Sequence, residues 1–481
     1  MTATPTRASR PVTAAAIERL KAVVGPKGYY DQAADMAPFC VAWRDGWQGA
    51  VPLVLRPANT AEVSDIVKIC AETRTPILPQ GGNTGLTGGS QPHNDMSEVI
   101  VSTTRMNKVR RLDPLNDTIT VEAGVVLAEI QKRAAEADRL FPLSLGAEGS
   151  CQIGGNLSTN AGGTQVLRYG NTRNLVLGIE AVLPDGRIWD GLRALRKDNT
   201  GYDLKHLLIG GEGTLGIITA AVLKLYPRPT AIETAWLAVP SPQHALELLA
   251  LMRSRLGDAL SGFELLQRSI IDFVLQTVPG NEDPVSTRSP WYVLMEVSGQ
   301  GKTDAFTEPL QDALGAASEQ GLITDGTIAQ TLAQGRRFWK FREDVSEAQK
   351  VIGGGVKHDV SVAVSSVPEF IARTDAALEK AYPGIRHCSF GHMGDGNIHY
   401  NPVGPVDWKG DFQAERDAIN LIVHDIVAEM GGSISAEHGI GRLRLAENER
   451  YKSPIELELM RTIKRALDPH NLMNPGKMIR A

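Results

Sequence analysis

The chain has 481 residues, more than one hydrophobic core usually organises, so we expect two or three lobes. Its net charge of -5 at pH 7 provides no basic field, which argues against nucleic acid and anionic membranes as partners. The four cysteines are far apart and include no C-x-x-C pair, which disfavours a disulfide framework, a structural zinc knot or an iron-sulfur cluster.

The first residues bear on cellular location. No apolar run approaches the ~20 residues that span a bilayer, and Met1 to Pro11 lacks the apolar core of a secretory signal. Arg7 and Arg10, without acidic neighbours, leave a mitochondrial presequence open, but we interpret the segment as a polar tail before a helix beginning near Val12. We therefore expect a protein of the cytoplasm, or of the mitochondrial matrix in a eukaryote, without stable membrane insertion.

From Val51 to Pro229, short β-branched runs alternate with glycine clusters, a pattern typical of an α+β lobe. The predicted strands are Pro52–Arg56, Pro76–Pro79, Val99–Ser102, Thr118–Glu122, Leu175–Leu183 and Ile217–Tyr226. The predicted helices are Ala61–Glu72 and Val126–Ala137.

From about Thr230 the helical patterns become longer, and they predict a second α+β lobe. Its predicted helices are Pro242–Leu256, Ala305–Gln320 and Pro368–Ala381, and its predicted strands are Trp291–Val297 and Val356–Val364. A final segment contains the helix Pro454–Leu467, which Asp468-Pro469 stops. We predict four regions: a tail and helix at residues 1–48, a first lobe at 49–229, a second lobe at 230–430 and a C-terminal segment at 431–481.

Three glycine-rich segments of the first lobe predict a bound dinucleotide. The run from Gly81 to Gly89 follows a predicted strand, and its glycines let successive N–H groups converge on a phosphate, whereas a plain turn would need fewer. The clusters Gly146 to Gly163 and Gly210 to Thr219 add the further contacts that an extended ligand requires. The first run contains no G-x-G-x-x-G, which disfavours NAD(P). Gly301-Lys302-Thr303 is not a Walker A loop, because Glu296 stands where its first glycine should be.

These segments resemble the FAD-binding domain of the vanillyl-alcohol oxidase/PCMH flavoprotein superfamily, and the chain from about Gly49 onward resembles its D-lactate and D-2-hydroxyglutarate dehydrogenase branch. The resemblance implies an α+β fold, with a PCMH-type FAD-binding domain of two α+β subdomains and an α+β cap domain of the FAD-linked oxidase C-terminal type. The cap would carry the substrate and metal groups, and the C-terminal segment would return to the FAD domain.

The same resemblance indicates how FAD is held. Some members attach the flavin through a histidine that follows two glycines in the first loop; this chain has Asn83 there, so we expect non-covalent FAD. The residues implied to bind FAD are Gln80, Gly81, Gly82, Asn83, Thr84, Gly85, Leu86, Gly146, Ser150, Gly155, Asn156, Thr159, Asn160, Gly162, Gly163, Gly213, Ile218 and Asn474.

The segment around His392 and His399 is typical of two short strands joined by the turn Gly394 to Asn397. If Met393 pairs with Ile398, the two histidines lie directly opposite each other with Cβ atoms ~5 Å apart, a suitable distance for sharing one cation. Two separately packed, hydrogen-bonded histidines are the alternative.

Glu437 and His438 are adjacent in a glycine-punctuated turn, and a carboxylate with two imidazoles is a common divalent set that leaves positions open for water or substrate. By resemblance, zinc or a similar cation such as Mn²⁺ is bound through His392, His399 and Glu437, and His438 is the catalytic base. A cation chelated by a 2-hydroxy acid would lower the pKa of the hydroxyl, so that His438 takes its proton while the C2 hydride goes to flavin N5.

The resemblance also implies substrate contacts at Arg342, Ser346, Lys357 and Asn401, although a single Arg or Lys is more often a solvated surface charge. Arginine binds a carboxylate through two parallel hydrogen bonds. The set therefore suggests a second substrate carboxylate, which ranks D-2-hydroxyglutarate before D-lactate.

We thus expect a homodimeric FAD- and metal-dependent dehydrogenase of a D-2-hydroxy acid that passes electrons to an electron-transfer flavoprotein or a quinone. One alternative is an oxidase that reduces O₂, or a glycolate-type subunit that needs partner chains. An alternative of another class is a non-catalytic metal- or nucleotide-binding protein that uses the same glycines and histidines structurally.

Overall fold

The computed structural model describes residues 10–43, 46–302 and 304–480, so the predicted tail lies outside the described residues apart from Arg10 and Pro11. The helices are α1 (Ala14–Val24), α2 (Ala33–Cys40), α3 (Thr60–Thr73), α4 (Leu127–Glu136), α5 (Ile153–Thr159), α6 (Val166–Tyr169), α7 (Lys205–Leu208), α8 (Pro242–Leu256), α9 (Arg268–Thr277), α10 (Asp304–Glu319), α11 (Leu332–Ile352), α12 (Val367–Ala381), α13 (Arg416–Glu429), α14 (Leu445–Tyr451) and α15 (Pro454–Leu467). The strands are β1 (Tyr29–Tyr30), β2 (Val54–Leu55), β3 (Ile77–Gln80), β4 (Val99–Ser102), β5 (Val109–Asp113), β6 (Thr118–Glu122), β7 (Arg139–Leu140), β8 (Val176–Val182), β9 (Ile188–Gly191), β10 (Ile217–Lys224), β11 (Tyr226–Pro227), β12 (Ala231–Val239), β13 (Leu260–Gln267), β14 (Trp291–Gly299), β15 (Asp325–Ile328), β16 (Val360–Ser361), β17 (Ser389–His392) and β18 (Asn397–Tyr400). Among the described residues, no helix combines the length and the apolar character that crossing a bilayer requires.

The chain forms two compact units. The first takes in the described residues up to Gly162, then Asn171–Pro227, and the described residues from Glu437 onward. The second consists of Gly163–Gly170 and Arg228–Ala436. The boundaries between the units therefore lie after residues 227 and 436, whereas the sequence predicts them after 229 and 430. In addition, the short segment Gly163–Gly170, predicted within the first lobe, belongs to the second unit.

The first unit contains a four-stranded sheet of order β1-β2-β4-β3 and a five-stranded sheet of order β5-β6-β10-β8-β9, with β7 and β11 as a separate pair. In the smaller sheet β2, β4 and β3 are parallel, whereas every neighbouring pair of the larger sheet is antiparallel. The first glycine run leaves the carboxyl end of β3, the sheet edge at which parallel strands commonly bind ligands.

The C-terminal segment is built into this unit. Ile77 of β3 donates its N–H to the carbonyl of Leu472 and accepts from Asn474 N–H, both at 2.8 Å. Helix α15 has a capping box between Ser453 and Glu456 at its start, which satisfies orphan N–H groups. Near its end the buried Lys464 Nζ pairs with Asp468 Oδ2 at 2.5 Å and also donates to the Thr214 carbonyl at 2.8 Å. Loss of either charge would leave the other buried and unpaired, so this pair fixes the segment to the third glycine cluster.

The second unit is organised by a seven-stranded antiparallel sheet of order β15-β12-β14-β13-β17-β18-β16. Strands β13 and β14 are buried along almost their whole length, and β14 is accordingly a nearly continuous apolar run from Trp291 to Met295. The core contains Trp236, Tyr292, Phe338 and Phe341, drawn from strands β12 and β14 and helix α11. Strand β13 is fourth of the seven and is thus held by hydrogen bonds to neighbours on both sides.

Most predicted helices and strands are confirmed, several at both ends. Helices α8 and α15 and strands β4 and β6 occupy their predicted ranges. The strand predicted at Val356–Val364 is wrong over most of its length, since only Val360–Ser361 pairs in the sheet. The stretch before that pair is held by a side chain instead, because His358 N–H donates to Asn401 Oδ1 at 3.0 Å.

Candidate active site

Of the predicted residues Gln80 to Leu86, the buried Gln80 is the last residue of β3, and the others form a partly exposed loop after it. A side chain at Gly82 is excluded, because a Cβ there would overlap the carbonyl oxygen of Ser150. Asn83 Oδ1 accepts hydrogen bonds from Ser90 Oγ and Gln91 Nε2, each at 3.0 Å. Some members of the family that the chain resembles carry a flavin-linking histidine at this position. In this chain, Asn83 stabilises the loop through these two hydrogen bonds instead.

The second glycine cluster leaves room for a ligand beside its backbone. Apart from the adjacent residues and, for Gly155, the backbone of its own helix, no described atom lies within 4 Å of a Cβ built at Gly146, Gly149 or Gly155. Next to Gly155, Asn156 Oδ1 is buried and has no hydrogen-bond partner among the described residues. Open backbone beside an unsatisfied buried acceptor fits a ligand that carries hydroxyl or N–H donors, as FAD does.

Other predicted FAD residues have contacts within the protein. Thr159 Oγ1 donates to the Gly155 carbonyl at 3.1 Å, and Asn160 Oδ1 accepts from Arg173 N–H at 2.9 Å. Ile218 is buried in strand β10, and Gly163 belongs to the second unit. Their contact with FAD stays a prediction.

The third glycine cluster meets the C-terminal segment at Glu212. Asn474 Nδ2 donates to the carbonyls of Glu212 and Gly89 at 2.8 and 3.1 Å, and its buried Oδ1 has no partner among the described residues. The Glu212 carboxylate is buried, and burial raises its pKa although the N–H groups of Ile440 and Gly441 donate to it. Both of these bonds are 2.7 Å long, so Glu212 fixes the turn that follows His438.

The half-buried turn of Glu437 and His438 also lies against the glycine clusters of the first unit. Thr87 Oγ1 donates to the His438 carbonyl at 3.1 Å. A Cβ at Gly162 would come within 2.5 Å of Glu437 Oε1, so the glycine there lets the carboxylate approach the main chain. The predicted base and the predicted acidic ligand thus lie beside the predicted FAD loops of the same unit.

In the second unit the two histidines lie on the hairpin of β17 and β18, but in a register other than the predicted one. The ladder pairs His392 with Asn397 and Phe390 with His399, so direct opposition of the histidines is wrong. The turn lies one residue earlier than predicted. Asn397, predicted as its last residue, belongs to β18, where its Nδ2 donates to Asp359 Oδ1 at 2.9 Å. The histidines still project from one face, since the pairing differs by two positions, and their ring centroids are 5.6 Å apart.

Behind His392 stands a buried carboxylate that the sequence interpretation missed. Glu264 of β13 accepts from His392 Nδ1 at 2.5 Å through one oxygen and from Arg342 Nε at 2.7 Å through the other. Burial alone would raise the pKa of Glu264, but the attraction of His392 and Arg342 holds it below its usual range. A hydrogen bond at Nδ1 sets the tautomer in which Nε2 carries the lone pair, the arrangement typical of metal-binding histidines.

Asp359 is a second carboxylate that was missed, and it lies near the other histidine. Its buried side chain has Oδ1 3.8 Å from His399 Nδ1. A signal for Glu264 was present in the sequence, because a charged residue flanked by Phe263, Leu265 and Leu266 is expected to need a buried partner. Asp359 follows a lysine and a histidine in a polar stretch and gave no such signal.

The predicted substrate residues of the second unit differ in exposure. Arg342 and Ser346 are one turn apart on α11, where the Arg342 side chain is 11% exposed and Ser346 is exposed. Lys357 is half-buried. Asn401 is buried and its Nδ2 donates to Gln349 Oε1 at 3.0 Å, so part of its hydrogen-bonding capacity serves the protein itself.

The histidine pair fits a divalent cation. His392 and His399 each offer a ring nitrogen, and the two atoms lie within 4.8 Å of each other. Two imidazoles on one strand pair, one of them oriented by a buried carboxylate, are a donor set that suits zinc or manganese. His392 and His399 could thus serve as two ligands of one divalent cation.

Comparison with known proteins places this site in a family. Residues 51–191 match the family described as FAD binding domain, and residues 228–478 match that described as FAD linked oxidases, C-terminal domain. The chain is 37% identical to the mitochondrial D-2-hydroxyglutarate dehydrogenase of Arabidopsis thaliana, over 96% of this chain and 81% of the relative. It is 38% identical to a putative mitochondrial D-lactate dehydrogenase of Schizosaccharomyces pombe, over 93% of this chain and 85% of the relative.

The fold also matches that of a solved structure. The structure of p-cresol methylhydroxylase with bound substrate superposes with a TM-score of 0.77 over 98% of this chain and 99% of that one, at 18% identity, which confirms the predicted fold class. The chain therefore belongs to the FAD-linked oxidases, in the branch of FAD-dependent D-2-hydroxy acid dehydrogenases.

Proposed function

We propose that this chain oxidises D-2-hydroxyglutarate to the 2-oxo acid with bound FAD and a divalent metal. The observation that carries the choice of substrate is Arg342, a nearly buried guanidinium that shares the Glu264 carboxylate with His392. An arginine next to a metal-binding histidine suits a substrate with one carboxylate for the metal and another for the guanidinium. D-lactate is the second candidate, favoured by the name of the relative from Schizosaccharomyces pombe.

The proposed metal ligands are His392, His399 and Glu437, with zinc or manganese as the ion. The two histidines share one face of a hairpin, as described above. Glu437 is proposed as the third ligand because one carboxylate with two imidazoles is a common set for a divalent cation.

His438 is the proposed base. When bound, the metal would make the 2-hydroxyl more acidic and FAD would accept the hydride. His438 would remove the hydroxyl proton, a task that suits imidazole near neutral pH. Thr87 binds the His438 carbonyl, and Glu212 binds the N–H groups of Ile440 and Gly441, which supports a fixed main chain at the proposed base.

The predicted substrate contacts at Ser346, Lys357 and Asn401 are part of the proposal, as are the predicted FAD residues and non-covalent binding. Electrons would pass to an external acceptor, an electron-transfer flavoprotein or a quinone, from a homodimer of the cytoplasm or mitochondrial matrix. The resemblance of the sequence to the dehydrogenase branch supports these assignments.

A panel of D- and L-2-hydroxy acids, mixed anaerobically with the purified flavoprotein, tests the proposal. We expect D-2-hydroxyglutarate to bleach the flavin absorbance fastest, at least about tenfold faster than D-lactate, because a second charge-assisted contact contributes roughly 1.5–3 kcal/mol. Stopped-flow absorbance measures the rates. Bleaching by L-isomers alone, or by no hydroxy acid, would refute the proposal, and rapid peroxide formation in air would favour the oxidase alternative.

Arg342→Met is expected to lower kcat/KM for D-2-hydroxyglutarate about 10²-fold more than for D-lactate, because only the dicarboxylate loses a direct contact, whereas the loss of the charge beside Glu264 affects both substrates. Steady-state kinetics with an artificial electron acceptor measure both values. Arg337→Met, at an exposed position of the same helix, is the matched control and should leave both nearly unchanged. Equal losses on the two substrates would remove the argument for a second carboxylate contact.

A further inference from the structure

The Glu264 carboxylate bridges two groups with different proposed tasks. One oxygen receives the hydrogen bond of a proposed metal ligand, His392, and the other receives that of a proposed substrate group, Arg342. The Glu264 side chain is 1% exposed, so water does not compete for either bond. Since β13 is bonded on both sides within the seven-stranded sheet, the backbone behind the carboxylate is rigid.

The bridge is part of a closed ring of contacts within the second unit. The Arg342 guanidinium lies over the Phe390 ring at 4.8 Å, and the Phe390 ring is 5.1 Å from that of His399. His399 in turn lies 5.6 Å from His392, which returns to Glu264. Because each member has two neighbours in the ring, neither imidazole can shift without disturbing the guanidinium.

We propose that Glu264 is a positioning residue that sets the distance between the bound metal and the Arg342 guanidinium, and thereby selects 2-hydroxy acids with a second carboxylate at the matching distance. The inference rests on the proposed function and gives a structural reason why the enzyme would prefer a dicarboxylate substrate. Glu264 contacts neither the metal nor the substrate in this scheme. It acts through His392, whose ring orientation it fixes, and through Arg342, whose charge it balances.

Glu264→Gln tests this inference through metal binding as well as specificity. The amide keeps the shape but loses the charge, so we expect the dissociation constant for Zn²⁺ or Mn²⁺ to rise about 10- to 100-fold. The ratio of kcat/KM for D-2-hydroxyglutarate over D-lactate should also fall at least about tenfold. Isothermal titration of the FAD-loaded, metal-stripped protein measures the first quantity and dye-linked kinetics the second.

Glu296→Gln is the matched control. Glu296 is a partly buried carboxylate on the neighbouring strand β14 that also accepts two hydrogen bonds, from Ser261 Oγ and Trp339 Nε1 at 3.0 Å each. Neutralising it removes a carboxylate of the same sheet without touching either proposed site group. Metal affinity and substrate ratio should both stay within about threefold of the wild-type values.

The possible results separate this inference from the proposed function. Metal affinity unchanged in Glu264→Gln, a substrate ratio unchanged despite weaker metal binding, or equal losses in Glu296→Gln would each overturn the positioning role. If Glu264→Gln does not fold, Glu264→Asp is the alternative variant, because it keeps the charge but shortens the side chain by about 1.5 Å. A metal affinity of Glu264→Asp within twofold of the wild-type value would overturn the inference. A wild-type protein that binds neither Zn²⁺ nor Mn²⁺ would instead refute the proposed metal site.

Discussion

Replacing His438 with glutamine is expected to slow flavin reduction by D-2-hydroxyglutarate about 10²- to 10⁴-fold, the range that a positioned general base contributes. Glutamine has nearly the reach of histidine but cannot accept a proton at neutral pH. FAD content should be unchanged, because the turn is held through the His438 carbonyl and through Glu212, and neither contact uses the imidazole. Single-turnover stopped-flow absorbance measures the rate of reduction directly.

The exposed His470 provides the control for this variant, since it lies in the same C-terminal segment of the first unit. His470→Gln should reduce its flavin at the wild-type rate. A His438→Gln protein that retains its FAD and keeps more than about a tenth of the wild-type rate would exclude His438 as the base.

Removing the metal is expected to slow flavin reduction about 10³-fold, because a Lewis acid at the hydroxyl contributes several kcal/mol to the transition state and 1.36 kcal/mol corresponds to tenfold. The protein is treated with a chelator, desalted and mixed anaerobically with D-2-hydroxyglutarate. Metal content by mass spectrometry and the flavin spectrum should show that the ion has left and the FAD has stayed.

Adding back Zn²⁺ and Mn²⁺ separately identifies the ion, since the one that restores the rate at stoichiometric amount is the functional metal. His399→Ala supplies a genetic counterpart, because it removes one proposed ligand while leaving the Glu264–His392 bond in place. A metal-free protein that reduces its flavin as fast as the reconstituted one would contradict the metal-dependent mechanism.

Local chemistry determined the features that the sequence predicted well. Helix α15 lies where predicted because proline at its first position, a capping box and the Asp468-Pro469 stop all act within a few residues. The glycine runs predicted a dinucleotide for the same reason, since close approach to the main chain is a property of the glycines themselves. The family matches over residues 51–191 and 228–478 agree with that prediction.

The register of the β17–β18 hairpin was not predictable from the sequence of the hairpin alone. Alternation along the strands placed His392 and His399 on one face correctly, but the pairing was off by two positions. The register depends on Asn397, whose side chain bonds to Asp359 and to the Val360 carbonyl of a neighbouring strand. No pattern within the hairpin itself contains that information.

The partners of the charged groups were decided by tertiary structure alone. Glu264 and His392 are separated by 128 residues, and Glu264 and Arg342 by 78, yet one carboxylate receives both. The sequence determined that such a buried charge needs a partner, because burying it unpaired costs several kcal/mol. Only the folding of a central strand, a hairpin and a helix onto one another determined which residues those partners are.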